Sequence, residues 1–306
     1  MKKYLGIEIG GTKLQIVSGN EDAQIDHRFS YSVNPLAGAE GIRRQIAEAL
    51  NSWKDQQLDG IGVGFGGPVN RHNGTIWKSY HISGWSGFAI ADWLAELSHV
   101  QVTIENDANA AAIGEALYGA GKNEHIVFYI TLGSGVGGGL VIDKKLYHGV
   151  LPGEAEFGHI RLDKTGRIIQ SSCAGWAVNE KIKKSAIDFP DSELALLAKD
   201  VLGAEAKILL QALQRDDIHA KQIFEETIDD LAFGISHVVH LFHPDVIVLG
   251  GGLSLIGEPL RAAVSERLIN YLMDAFQPGP VIRLSALKED AVTVGALALA
   301  RQIFNS

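Results

Sequence analysis

Two segments of the chain repeat one pattern: a short apolar strand, a glycine-rich turn and a second apolar strand. The first copy begins at Ile7 (IEIGGTKLQIV) and the second at Ile130 (ITLGSGVGGGLVI). Glycine turns of this kind bind phosphate, because backbone without side chains can approach a ligand closely and its N–H groups converge. Since the unit occurs twice, the sequence predicts two like domains, each with one phosphate-binding turn.

One such turn alone is more often only a hairpin connection, so the number of glycine loops matters. A third cluster, Gly250–Gly252, lies between a predicted strand and a predicted helix, where a helix N-terminus can receive an anion. Together the three loops favour a nucleotide as the ligand. Two G-x-G-x-x-G matches, beginning at Gly62 and Gly133, are not dinucleotide fingerprints, because neither is expected to open a helix.

The composition excludes several classes of protein. Hydrophobic residues make up 46% and charged residues 21%, which is typical of an ordered globular chain. The net charge of −9 argues against a nucleic-acid backbone as the main ligand. A single cysteine, Cys173, excludes an internal disulfide and any zinc site with two or more thiolates. The first apolar run ends at Glu8 and no run is long enough for a bilayer, so we expect a cytoplasmic protein that binds no membrane.

Strand and helix patterns alternate along the chain, which predicts an α/β fold. Strands are expected at 4–10, 13–18, 25–33, 59–65, 100–105, 125–132, 139–142, 246–249 and 280–285. Helices are expected at 39–55, 86–98, 108–118, 257–275 and 291–304, with residues 192–242 mostly helical. Residues 150–180 show no regular period and are expected to be irregular.

Two polar groups are candidates for chemistry. Glu105-Asn106-Asp107 stands between a predicted strand and a predicted helix, where Asp107 is either a helix N-cap or a general base at the carboxyl end of a parallel strand. Glu156 and His159 stand beside glycines (PGEAEFGH), where they either hydrogen-bond a polyol or belong to a solvated loop.

Several motifs together are specific enough to indicate a family. They are LGIEIGGTK at 5–13, GVGFGGPV at 62–69, ENDANAAAIGE at 105–115, ITLGSGVGGG at 130–139, EFGHI at 156–160, PDVIVLGGGLS at 244–254 and AVTVGALALA at 291–300. With them the chain resembles the ROK family of sugar kinases over nearly its whole length. The resemblance implies two actin/hexokinase-like (RNase H-like) α/β domains around a central cleft, with residues 1–115 plus 291–306 in one domain and 116–290 in the other.

The resemblance also implies an activity and a set of site residues. It implies a glucokinase-like transfer of the γ-phosphoryl group of ATP, with Mg²⁺, to a hydroxyl of a free hexose or N-acetylhexosamine, most simply the 6-hydroxyl, by a homodimer. Asp107 would be the base that accepts the hydroxyl proton. The residues implied to contact ATP are Gly10, Gly11, Thr12, Lys13, Thr131, Gly133, Gly251 and Gly252. The residues implied to contact the sugar are Gly67, His81, Asn106, Glu156, His159 and Glu180.

Three departures from the family pattern change what is expected. Glu8 replaces the usual aspartate before the first glycine turn, and we expect it to act on Mg²⁺, if need be through water. His81 replaces an asparagine of the usual N-L-P-G-W segment, so we expect an altered choice of sugar. The family's zinc motif keeps His159 but has Ser171, Cys173 and Val178 at the cysteine positions, so we expect no zinc.

Two alternatives remain open at this stage. Some relatives of this family are sugar-responsive repressors with a DNA-binding segment before the kinase-like body, and the first strand here is expected by about residue 4, which together with the acidic net charge disfavours them. A sugar-sensing regulator without kinase activity is compatible with Glu8 and His81, whereas Asp107 favours the enzyme.

Overall fold

The computed structural model describes residues 2–80, 82–151, 153, 155–199 and 205–302. Its strands are β1 (Tyr4–Ile9), β2 (Lys13–Gly19), β3 (Ile25–Ser32), β4 (Gly60–Phe65), β5 (Val69–Asn70), β6 (Thr75–Ile76), β7 (Val102–Asn106), β8 (Ile126–Leu132), β9 (Val136–Ile142), β10 (Lys145–Leu146), β11 (Val246–Gly250) and β12 (Val281–Leu284). Its helices are α1 (Gly38–Leu50), α2 (Ile90–Ser98), α3 (Asp107–Tyr118), α4 (Gln170–Cys173), α5 (Gly175–Asp188), α6 (Glu193–Ala198), α7 (Leu209–Gln214), α8 (Ile218–Phe242), α9 (Glu258–Leu268) and α10 (Ala291–Gln302).

Contacts divide the chain into two compact units. The first unit comprises Met1–Asn123, Gly139–Ala155 and Ala286–Ser306, and the second comprises Glu124–Gly138 and Glu156–Ser285. The domain boundaries expected from the sequence, after residue 115 and before residue 291, stay a prediction. Within the described ranges, no helix combines the length and the apolar character needed to cross a membrane.

The first sheet has the strand order β3-β2-β1-β4-β7. The strands β1, β2 and β3 are antiparallel neighbours, whereas β1, β4 and β7 run parallel. In the register of the parallel strands Ile9 pairs with Phe65, and Phe65 pairs with Asn106. Three strands therefore end at one edge of the sheet, so the residues that follow them lie side by side there.

Helices α3 and α10 pack against each other and the sheet with almost no side chain between them. A methyl group added at Gly295 of α10 would lie 1.7 Å from the Ala110 oxygen of α3. One added at Gly62 of β4 would lie 1.9 Å from the Ala296 oxygen of α10. Small residues at these positions allow backbone to touch backbone, which fixes how closely α10 approaches α3 and β4.

The second sheet has the order β10-β9-β8-β11-β12, with β8, β11 and β12 parallel. Gly250 pairs with Thr131, so the glycine clusters that follow β8 and β11 leave the sheet at the same level. The repeated strand–turn–strand unit predicted from the sequence is thus β1–β2 in one case and β8–β9 in the other. The predicted α/β class is confirmed.

The expectation that residues 150–180 are irregular is wrong for their last part, because α4 and the start of α5 lie there. The buried face of α5 consists only of Ala177, Val178 and Ile182, too short a set to show a helical period. The helix expected at 257–275 ends at Leu268 and continues as 3₁₀ turns. In the stretch 192–242, expected to be mostly helical, the described residues form α6, α7 and α8, with α8 the longest of these.

We predict that Gly295→Ala lowers the free energy of unfolding by about 1–3 kcal/mol, since the added methyl group would force α10 away from the Ala110 carbonyl. Urea denaturation would measure the loss. Gly149→Ala is the matched control, because a methyl group added there meets no atom of the described residues within 4 Å. Equal unfolding midpoints for the two variants would contradict the close packing of α3 and α10.

Candidate functional site

Asn106, not Asp107, caps helix α3. Its Oδ1 accepts hydrogen bonds from the N–H groups of Ala108 (2.9 Å) and Asn109 (3.2 Å), and its backbone is extended. Its Nδ2 donates to the Gly67 oxygen at 3.3 Å. Asp107 is the first helical residue, so the cap can exist without its carboxylate. The capping alternative for Asp107 therefore has no support in the geometry.

The carboxylate of Asp107 lies beside the first glycine turn. A methyl group added at Gly66 would meet Asp107 Oδ2 at 3.4 Å, the Ile9 oxygen at 3.4 Å and Gly10 Cα at 3.6 Å. The other carboxylate oxygen, Oδ1, accepts from the N–H of Ala108 at 2.8 Å. The parallel ends of β1, β4 and β7 thus bring the predicted base, the predicted phosphate turn and a bare glycine together.

The first glycine turn is closed by its own backbone and carries a cation. The N–H of Gly10 donates to the Lys13 oxygen at 2.9 Å, which leaves Gly11 and Thr12 at the tip. The Lys13 ammonium lies 3.4 Å from the Glu8 carboxylate, with the lysine side chain 38% exposed and the glutamate 14% exposed. A positive group therefore stands on a turn that the sequence predicts to bind phosphate.

Glu8 is the buried anion of this turn. Burial raises the pKa of its carboxyl above the ordinary value, while the nearby Lys13 charge and a hydrogen bond from Gln15 Nε2 (2.9 Å) oppose that rise. Gln15 in turn accepts from Arg28 at 2.7 Å. The donor chemistry fits Mg²⁺, which prefers anionic oxygen and keeps several waters, so Glu8 is the residue that would hold the ion directly or through water.

The second glycine turn is built from close backbone contacts within the second unit. Gly251 has a φ of +81°, and a methyl group there would lie 2.5 Å from the Leu132 carbonyl carbon and 2.7 Å from the Gly133 nitrogen. The predicted nucleotide contacts Gly133 and Gly251 are thus brought together, and Thr131 pairs with the neighbouring Gly250. Among the described residues, nothing lies within 4 Å of a methyl group added at Gly252.

Two residues that sequence reasoning missed support the second turn. Gln170 Oε1 accepts from the N–H of Val136 at 3.1 Å, and the N–H of Gly175 donates to the Gly133 oxygen at 2.8 Å. Both come from the segment that was expected to be irregular. A glutamine and a glycine in such a segment carry no pattern, so only the fold could reveal this support.

The predicted sugar contacts of the second unit are exposed polar side chains. Glu156 and His159 flank a 3₁₀ turn, with Glu156 Oε2 4.0 Å from His159 Nε2. Glu180 lies on helix α5 rather than in a loop, and it pairs with Lys183 at 3.1 Å. These exposed carboxylates and the imidazole are polar groups of the kind that hydrogen-bond a polyol. His81, the other departure from the family pattern near the sugar, lies outside the described residues.

The residues at the zinc-motif positions do not fit a structural zinc site. Burial raises the pKa of the Cys173 thiol to about 12, and its sulfur lies 3.6 Å from the Thr227 oxygen. Ser171 is hydrogen-bonded to the backbone of Ile168, and Val178 is buried. In the described ranges no group of three or more His, Cys, Asp or Glu side chains could hold a metal ion.

Sequence reasoning also missed the side-chain pair of Glu105 and His148. Glu105 contacts Asn106, the residue before the predicted base. Glu105 is buried, and its Oε2 lies 2.6 Å from His148 Nε2. Its Oε1 accepts from the N–H of Asn106 at 3.0 Å and from Asn109 Nδ2 at 3.1 Å. His148 is far from Glu105 in the chain, so no sequence spacing indicates this contact.

We predict that protein purified without added metal contains no stoichiometric zinc, because a structural site needs a full tetrahedral set of ligands and Val178 has no donor atom. Elemental analysis measures the zinc content per chain. The double variant S171C/V178C is the positive control, since it rebuilds the thiol positions beside Cys173, and it should gain zinc. A wild-type content near one zinc per chain would overturn the prediction.

Comparisons with known proteins indicate the family of this chain. The family model described as ROK family matches residues 4–303. The chain is 29% identical to a glucokinase of Thermotoga maritima over 98% of both chains. The crystal structure of a ROK family glucokinase from Streptomyces griseus, in complex with glucose and AMPPNP, superposes with a TM-score of 0.86 at 31% identity, over 98% of this chain and 99% of that one.

Repressors also match the chain. It is 26% identical to a putative xylose repressor of a Caldicellulosiruptor species, over 96% of this chain and 77% of the repressor. The predicted actin/hexokinase-like fold is confirmed by the glucokinase structure, which shares it over nearly the whole chain. With the family model spanning residues 4–303, the chain belongs to the ROK family.

Proposed function

We propose that this chain transfers the γ-phosphoryl group of ATP to the 6-hydroxyl of a free hexose, with glucose the first candidate and N-acetylhexosamines next. It is an ATP-dependent sugar kinase with Asp107 as the catalytic base. One observation carries the proposal: the Asp107 carboxylate is not needed for capping α3 and lies beside the first glycine turn, against Gly66. The Streptomyces griseus glucokinase bound to glucose and AMPPNP supports the same substrates.

In this proposal, Asp107 accepts the proton of the sugar hydroxyl. A sugar hydroxyl is a weak nucleophile, and its proton must leave as the bond from oxygen to phosphorus forms. Asp107 takes that proton, the bond between the γ-phosphorus and the bridging oxygen breaks, and ADP leaves. Oδ2 is the carboxylate oxygen that lies against Gly66, beside the first glycine turn.

The remaining residues bind and orient. The first turn offers N–H groups and the Lys13 cation to phosphate, and the open Gly252 leaves space for the nucleoside. Mg²⁺, when bound near Glu8, neutralises phosphate charge. The Gly67 backbone, the Asn106 amide and the exposed Glu156, His159 and Glu180 side chains hold sugar hydroxyls. A homodimer in the cytoplasm is the assembly and location that go with this proposal.

The decisive experiment measures ADP release by the purified chain with ATP and Mg²⁺ over a panel of hexoses and N-acetylhexosamines. The proposal expects sugar-dependent turnover with 6-phosphorylated product, identified by mass spectrometry and NMR. A regulator without kinase activity would instead bind a sugar, detectable by calorimetry, and release no ADP. The latter result would overturn the proposed function.

We predict that Asp107→Asn lowers kcat on the best sugar by roughly 10²–10⁴-fold, because the proton acceptor is lost. The fold should persist, since Asn106 supplies the cap of α3. Asp92→Asn is the matched control: Asp92 is also an acidic residue in the first turn of a helix of the same unit, and it is exposed. A folded Asp107→Asn protein with kcat within a few-fold of wild type would remove the base assignment.

We predict that Glu8→Gln lowers turnover, whereas its stability relative to the wild type improves as pH rises. Turnover should fall roughly 10–100-fold and need more Mg²⁺, because the carboxylate that supports the ion is lost. Glu8→Asp, which restores the usual family residue, should keep turnover.

The stability of Glu8→Gln relative to the wild type should increase as pH rises. The raised pKa of Glu8 means that the wild type loses stability as pH rises from near 4 through the raised value. The Tm of Glu8→Gln relative to wild type should therefore increase from pH 4 to pH 7. A Tm difference that is flat with pH, together with unchanged Mg²⁺ dependence, would make Glu8 only a strand residue.

A further inference from the structure

The Glu105–His148 pair has no part in the chemistry proposed above, yet it touches the residue that precedes the base. The Glu105 side chain is only 5% exposed, and a buried carboxylate is costly unless donors surround it. Donors from three residues do so here: the Asn106 N–H, Asn109 Nδ2 and His148 Nε2. A carboxylate oxygen accepts hydrogen bonds, so His148 Nε2 is assigned the donor role in this contact.

Each oxygen of Glu105 serves a different part of the first unit. Oε1 binds the first turn of α3 on both sides of Asp107, at Asn106 and at Asn109. Oε2 binds His148, which follows β10 in another stretch of the chain. The carboxylate therefore ties the start of α3 to the segment that carries His148.

Asn106 connects the hydrogen bonds of Glu105 to Asp107, the proposed base. Its side chain caps α3 and reaches the Gly67 oxygen, so rotation of its backbone would disturb both contacts at once. Asp107 shares a peptide bond with Asn106, and its carboxylate must stay within hydrogen-bond reach of a hydroxyl to accept a proton. Loss of the His148 hydrogen bond would let the Glu105 carboxylate turn and release this restraint.

We propose that His148 is a positioning residue for the phosphoryl transfer: acting through Glu105 and Asn106, it holds the Asp107 carboxylate in the orientation that accepts the hydroxyl proton. The inference rests on the proposed function. It assigns His148 no contact with sugar or nucleotide. It predicts an effect on the chemical step, where small misplacements of a reacting group are costly, and little effect on nucleotide binding.

The test begins with variants that distinguish the ring of His148 from its hydrogen-bond donor. His148→Phe keeps a planar ring and removes the donor. His148→Gln keeps a donor near the position of Nε2, whereas the shorter His148→Asn does not. We expect kcat to fall roughly 10–100-fold in His148→Phe and His148→Asn, KM for ATP to stay within about twofold, and His148→Gln to recover most of kcat. His72→Phe, at an exposed histidine of the same unit, is the matched control.

A double-mutant cycle with Asp107→Asn supplies the readout that a merely structural role would not move. If His148 acts through the base, His148→Phe should change kcat less than about twofold once Asp107 is an asparagine. If the two losses multiply, His148 acts on something other than the base and the proposal is overturned. Thermal unfolding of each variant accompanies the kinetics.

The remaining outcomes are also decisive. If the wild type is active and His148→Phe keeps full kcat, the positioning role is overturned and the proposed function stays intact. A wild type that phosphorylates no sugar overturns the proposed function itself. If His148→Phe does not fold, the comparison of His148→Gln with His148→Asn decides: equal kcat values overturn the proposal, and retention only in His148→Gln supports it.

Discussion

The first unit depends on direct backbone contact between helix α10 and its neighbours. The carbonyl of Ala110 in α3 occupies the space that a side chain at Gly295 would need, and the carbonyl of Ala296 does the same at Gly62. With no side chain to adjust, the two helices and strand β4 have one distance of approach. Helix α3, which begins at Asp107, is therefore held at a fixed distance from its neighbours. Ala110 lies one turn after Asp107, so this packing restrains the helix close to the proposed base.

The register of the parallel strands then selects what stands beside Asp107. Because Ile9, Phe65 and Asn106 pair across the sheet, the glycine turn after β1 and the bare Gly66 after β4 meet the start of α3. Gly66 directly follows β4, and a side chain there would occupy the space next to the carboxylate. The same principle operates in the second unit, where Gly251 allows two turns to touch.

The sequence predicted the strands and turns well, because buried strands and glycine turns leave local patterns. It could not assign the cap of α3, since Asn106 and Asp107 are equally good capping residues and only the backbone shows which one is extended. It missed α5, whose buried face is short, and it missed Gln170 and His148, whose partners are distant in the chain. Side-chain pairs of that kind are fixed by tertiary packing and leave no period.

In the segment that departs from the family's zinc motif, hydrogen bonds and an ion pair connect the helices. Ser172 donates to Asp230, which also pairs with Arg167 at 2.7 Å, and Lys181 reaches Thr227 Oγ1 at 3.3 Å. These contacts tie α4 and α5 to the long helix α8, and α4 and α5 in turn support the second glycine turn through Gln170 and Gly175. Charged and hydroxyl groups here connect the elements that metal ligands would otherwise join. Cys173 is a packing residue in this arrangement, because its side chain is buried and burial raises the pKa of its thiol to about 12.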